Sequence, residues 1–161
     1  MERRMIPIQE WLETFRTSAE DLARGSLRFD PRESHSADTG ERPGAYIALL
    51  GDDESVHLGL CLAPTECHAL ARALLGLGVH ESLSERDTID GVCEVMNIVA
   101  GKVKSQMASR GQTLRLGLPM FLRTPIEPDA AMEVASTELL LGSVAARLTV
   151  YRRSLGAQAA A

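Results

Sequence analysis

The stretch SERDTIDGVCEVMNIVAGKVKSQMASRG, residues 84–111, decides the fold of this chain. Ser84, three residues before Asp87, is typical of a helix start, because its hydroxyl can accept a backbone N–H of the first turn. Gly111 is a suitable left-handed stop, and Arg110 beside it complements the negative end of a helix. The apolar residues between these ends recur every three or four positions, which at about 100° per residue forms one stripe. The members of this stripe are Ile89, Val92, Met96, Val99, Val103 and Met107. The stretch therefore predicts a long helix with one buried face.

The opposite face of this helix is polar and should lie in solvent. Glu94 lies nearly opposite the apolar stripe, and Asn97, three residues on, is its surface neighbour. Ile98 should point outward with them, and Gly91 and Gly101 lie on or beside the same face, each costing about 1 kcal/mol against alanine. The other polar residues near this face are Asp87, Asp90 and Ser105. Exposed apolar surface beside glycines lets another backbone approach closely, so we interpret the face as a docking surface. A solvated face with two tolerated glycines is the alternative.

Working outward, the chain predicts two further helices and a sheet. A helix over residues 6–24 should bury Trp11 and Phe15, and one over residues 64–75 opens at a proline. Strands are predicted for residues 26–29, 45–50, 56–62, 113–122 with a break at Pro119, 132–141 and 143–152. Residues 30–44, rich in proline, serine, glycine and charge, should form a mobile loop. The fold class is α/β of the α+β type: an antiparallel-rich sheet packed against two long helices, with the N-terminal helix alongside.

Length and charge restrict the domain organisation and the partners. With 161 residues, we expect one domain over residues 1–155 and a disordered tail over residues 156–161. The formal net charge of -5 argues against nucleic acid and anionic membranes, which both require a basic surface. No apolar run approaches the length of a membrane span, and residues 1–8 lack the apolar segment of a signal peptide. The odd number of cysteines among apolar residues suits buried thiols in a reducing cytoplasm.

Metal ligation and serine-hydrolase chemistry have little support. The histidines and cysteines match no zinc spacing, and no serine lies in a nucleophile-elbow context. Asp87, Asp90 and Glu94 recur at about one helical turn, but three exposed carboxylates more often repel each other than bind a cation. No metal of its own is therefore expected.

The run EVMNIVAGK, residues 94–102, followed by Leu116-Gly-Leu-Pro119, resembles the CheX branch of the CheC/CheX/FliY family of chemotaxis phosphatases. The resemblance extends over roughly residues 45–152 and rests on Glu-x-x-Asn on a helix, the Ala-Gly pair and the Gly-Leu-Pro strand. These proteins dephosphorylate the response regulator CheY. The resemblance implies a CheC/CheX-like fold, a homodimer, a phosphorylated CheY-like receiver as partner and a Mg²⁺ ion supplied by that receiver.

The resemblance also assigns roles to residues of the polar face. Asn97 would orient the attacking water in the receiver's active site, and Glu94 would pair with the receiver's lysine. An amide suits this task because its carbonyl accepts from water and it carries no charge to repel a phosphoryl group. Asp90, Ile98 and Gly101 are the predicted partner contacts. The alternative, from another class, is a non-catalytic module that binds a receiver or a signalling complex through the same helix.

Overall fold

The computed structural model describes residues 4–29 and 42–156 and contains three helices and six strands in that part of the chain. The helices are α1 (Ile8–Gly25), α2 (Pro64–Leu75) and α3 (Glu85–Ala108). The strands are β1 (Gly44–Leu50), β2 (Glu54–Cys61), β3 (Arg115–Leu116), β4 (Met120–Leu122), β5 (Met132–Leu141) and β6 (Val144–Ser154). Most of the predicted loop over residues 30–44 and nearly all of the predicted tail lie outside the described residues. None of the helices in the described ranges is long and apolar enough to cross a membrane.

The strands form one antiparallel sheet in the order β3-β1-β2-β6-β5, and β4 pairs with β1 as well. The predicted strand over residues 113–122 is divided at Pro119, which lies between β3 and β4. Both pieces pair with β1 at the end of the sheet, where a proline without an N–H is tolerated. The hairpin of β5 and β6 turns at Gly142, whose φ of 62° lies in the left-handed region.

All three helices pack on one face of the sheet around a shared core. α3 lies over β1, α1 lies over β5 and β6, and α2 packs mainly against α3. Trp11 and Phe15 of α1 are both buried in this core, as predicted. The helix-facing residues of β6 are buried in the same core: Val144, Ala146, Leu148 and Val150. The α+β architecture predicted from the sequence is therefore confirmed.

The prediction of a strand over residues 26–29 is wrong. These residues continue from the end of α1, and the N–H of Leu27 donates to the carbonyl of Leu22 at 3.3 Å. The N–H of Arg28 donates to the carbonyl of Ala73 at 3.0 Å, which fastens the segment to α2. The apolar residues that suggested a strand serve to pack this connection, since Leu27 is buried.

Candidate functional site

The candidate site lies on α3, whose ends form as predicted. The Ser84 hydroxyl accepts the N–H of Asp87 at 3.1 Å and satisfies one donor of the first turn. After the helix, Gly111 has a φ of 83°, and the N–H of Gln112 donates back to the carbonyl of Met107 at 3.0 Å. Arg110 pairs with Glu10 of α1 at 3.0 Å, so α3 is also fastened to α1 at this end.

One face of α3 is anchored in the core. Its buried apolar side chains are those of Val92, Val95, Met96, Val99, Ala100, Val103 and Met107. Ile89, which the sequence placed in the same stripe, is only half-buried and lines an open groove instead. With so many apolar contacts beneath it, α3 presents its opposite face as a rigid surface.

The polar face carries the predicted site residues close together. Glu94 and Asp90 are exposed, and Asn97 and Gly101 are half-exposed. Glu94 and Asn97 are three residues apart on the helix and are therefore surface neighbours. Within the described residues, neither of their side chains has a hydrogen-bond or ion-pair partner. Both groups are thus available to another molecule.

The two glycines that the sequence grouped on this face have different surroundings. A methyl group added at Gly101 would meet nothing within 4 Å, so this glycine keeps an open, low surface beside Asn97. A methyl group added at Gly91 would lie 2.8 Å from the Cβ of Ala71 on α2. The prediction that Gly91 belongs to the docking face is therefore wrong, because this glycine is buried and allows α2 to approach α3.

Ile98 is half-exposed like Asn97, and it also packs against the core. Its remaining exposed surface still borders the polar face of the helix.

A groove of about 610 Å³ separates α3 from the edge formed by β4. Ile89, Cys93 and Glu94 line the α3 wall, and Pro119 and Met120 line the opposite wall. Neither Pro119 nor Met120 was predicted as part of the site, although the Gly-Leu-Pro motif was a signal that this edge matters.

An ion pair and a thiol lie at this groove. Arg123 on the β4 side pairs with Glu85 at the start of α3 at 2.6 Å, and this ion pair spans the two walls. Partial burial, aided by the negative charge of Asp90, raises the pKa of the Cys93 thiol, so this cysteine is a weak nucleophile. The side chains of Asp87, Asp90 and Glu94 do not converge: no group of three or more histidine, cysteine or acidic side chains in the described residues could hold a metal ion.

These features define an α+β domain whose candidate site is an exposed helix face beside an open groove, a surface suited to another macromolecule. Residues 44–138 match the sequence model of the family described as chemotaxis phosphatase CheX, which is more than half of the 161 residues. The chain belongs to the CheX family of chemotaxis phosphatases. No curated protein matches the chain in sequence.

Solved structures share the fold at low sequence identity. Chemotaxis protein CheX from Vibrio vulnificus is 14% identical, with a TM-score of 0.69 over 89% of this chain and 99% of that one. CheX from Desulfovibrio desulfuricans is 17% identical, with a TM-score of 0.66 over 90% and 99%. A CheX-CheY-BeF₃-Mg²⁺ complex from Borrelia burgdorferi contains a chain 14% identical, with a TM-score of 0.65 over 93% of this chain and 99% of that one. At such identities, the likeness shows the fold.

Proposed function

We propose that this chain is a phosphatase that hydrolyses the aspartyl phosphate of a CheY-like receiver domain. Its membership of the CheX family supports the proposal, and so does the complex of a Borrelia CheX with CheY, BeF₃ and Mg²⁺. The observation that carries the proposal is the pair Glu94 and Asn97, unpartnered within the described residues, on the outer face of a helix anchored in the core.

Asn97 acts on the water in this proposal. Hydrolysis requires a water whose oxygen bonds to phosphorus as the bond from phosphorus to the aspartate oxygen breaks. The aspartate leaves as a carboxylate, and a proton of the water passes to the released phosphate. The Asn97 carbonyl accepts a hydrogen bond from the water and fixes it in line with the breaking bond. Because the amide is neutral, it approaches a phosphoryl group without charge repulsion.

Glu94 and Gly101 help Asn97 reach the phosphoryl group. Glu94 is exposed and accepts hydrogen bonds from the receiver's active-site lysine, one helical turn from Asn97. Gly101 leaves open space on the other side of Asn97, so the receiver's loops can come close to the helix backbone. Asp90 lies one turn before Glu94 and extends the acidic edge of the contact. Ile98 contributes only its exposed margin.

The receiver supplies the metal in this proposal. Its Mg²⁺ neutralises phosphoryl oxygens, and this chain contributes positioning and one carboxylate. In this proposal, the chain therefore adds these groups to an active site in which the receiver already holds the metal and the phosphoryl group.

A homodimer is also part of the proposal. β5 is ten residues long and ends the order of strands in the described sheet. It also exposes Val134 and Leu140. A long edge strand with exposed apolar residues is a template for pairing with a second chain. Light scattering should give twice the monomer mass of 17.4 kDa.

The test of the proposed function is phosphate release from a panel of purified receivers from the same cell, each phosphorylated with acetyl phosphate and freed of it. The protein should accelerate the loss of phosphate from at least one receiver. A receiver that binds the protein but keeps its phosphate at the spontaneous rate would refute the phosphatase and favour the non-catalytic binding module.

A further inference from the structure

The edge of the sheet beside the polar face of α3 exposes two large apolar side chains. Leu118 has 90% of its surface exposed, and Met120 has 61%. They flank Pro119 in the Gly-Leu-Pro motif, to which the proposed chemistry gives no role. Large apolar side chains exposed together beside a groove are typical of a surface that another protein covers.

The backbone holds these side chains in place. The N–H of Gly117 donates to the carbonyl of Ala48 at 2.8 Å, just before Leu118. Met120 pairs with Tyr46 in the register of β4 on β1. Backbone pairing with β1 therefore fixes the chain on both sides of Leu118. A partner would meet a preformed surface there.

The same groove connects this edge to the proposed catalytic face. Pro119 and Met120 form the wall opposite Glu94 and Cys93. A partner protein that contacts Glu94 from solvent therefore also contacts the opposite wall of the groove. The α3 wall carries the acidic Asp90 and Glu94, whereas the opposite side exposes the apolar Leu118 and Met120 and carries Arg123, which is paired with Glu85.

We propose that Leu118 and Met120 form an apolar anchor that docks the receiver next to its phosphorylation site. The receiver would place a basic group against Asp90 and Glu94 and apolar side chains against Leu118 and Met120. This inference rests on the proposed function, because it takes the receiver as the occupant of the groove. Burying one leucine side chain on docking typically changes an equilibrium constant by about 10- to 100-fold.

The test uses Leu118→Ser, with Leu75→Ser as the matched control. Leu75 is 54% exposed at the end of α2, so it tests an exposed leucine away from the β4 edge. Two quantities are measured for wild type and both variants: the Kd for a receiver loaded with beryllofluoride and Mg²⁺, and KM and kcat for phosphate release. Leu118→Ser should raise Kd and KM at least about tenfold and leave kcat within about twofold. Leu75→Ser should match wild type.

The outcomes separate this inference from the proposed function. Wild-type turnover with an unchanged Kd and KM in Leu118→Ser overturns the anchor and leaves the phosphatase standing. Weakened binding in Leu118→Ser, with no turnover by any protein, supports the anchor and refutes the phosphatase. Loss of a dimer in Leu118→Ser, seen by light scattering with Kd unchanged, shows that a second copy covers this edge and overturns the inference.

Discussion

Substitution of the two glycines of α3 by alanine tests the structure of the helix in opposite directions. Both variants gain about 1 kcal/mol of helix propensity. At Gly91 the new methyl group would lie 2.8 Å from the Cβ and 3.2 Å from the Cα of Ala71. Neither atom is the end of a flexible side chain, so α2 must move away from α3. Overpacking of this kind costs about 1–3 kcal/mol. At Gly101 nothing lies within 4 Å, and no such cost arises.

The propensity gain cancels when the two variants are compared. Gly91→Ala should therefore be less stable than Gly101→Ala by about 1–3 kcal/mol, and Gly101→Ala should be more stable than wild type by up to about 1 kcal/mol. Urea unfolding followed by circular dichroism measures both differences. If Gly91→Ala is as stable as Gly101→Ala, the close packing of α2 on α3 is refuted. Gly101→Ala should also lose phosphatase activity despite its higher stability, because its methyl group raises the surface beside Asn97.

Three further substitutions test the core, the sheet end and the groove. Met96→Ala should lower the free energy of unfolding by about 2–5 kcal/mol in urea titrations, because Met96 is fully buried and its truncation leaves a cavity. Burial raises the pKa of Glu54 above 4.5, and its ion pair with Arg152, at 3.9 Å, only partly opposes that shift. The folded protein therefore loses stability relative to the unfolded chain as the pH rises above 4.5. The stability of Glu54→Gln relative to wild type should thus increase between about pH 4 and pH 7 in unfolding experiments. An equal difference in the free energy of unfolding at both pH values would contradict this. Cys93→Ala should fold and keep turnover; a folded but inactive Cys93→Ala protein would reveal thiol chemistry in the groove.

Local signals in the sequence account for most of the fold. The ends of α3 were predictable because the Ser84 cap and the Gly111 stop act within one helical turn. The β5–β6 hairpin was predictable because two runs of strand-forming residues flank Gly142, which takes the left-handed turn conformation. In both cases the residues that specify the element are neighbours in sequence.

The wrong predictions concern residues whose surroundings depend on an element that is distant in sequence. The helical period places Gly91 beside the polar face, but α2 packs against it. The sequence of α3 contains no signal for the position of α2. Residues 26–29 are apolar enough for a strand, yet they pack as a connection between α1 and α2. The exposure of Leu118 depends on hydrogen bonds from neighbouring residues to β1, which only the folded sheet provides. The roles of Glu94 and Asn97 stay predictions, since geometry shows their availability and only kinetics can show their action.

The kinetic separation of Asn97 from Glu94 tests the central claim most directly. Each variant is assayed for phosphate release from the cognate phosphorylated receiver, at matched fold and concentration. Asn97→Ala should stay folded and lower kcat by about 100-fold, about 2.7 kcal/mol, because it loses the group that positions the water. Asn97→Asp should be at least as slow, since it brings a negative charge towards the phosphoryl group.

Glu94→Ala should instead raise KM, reduce the salt dependence of binding and recover turnover at high receiver concentration. A folded Asn97→Ala protein that releases phosphate at the wild-type rate would contradict the account.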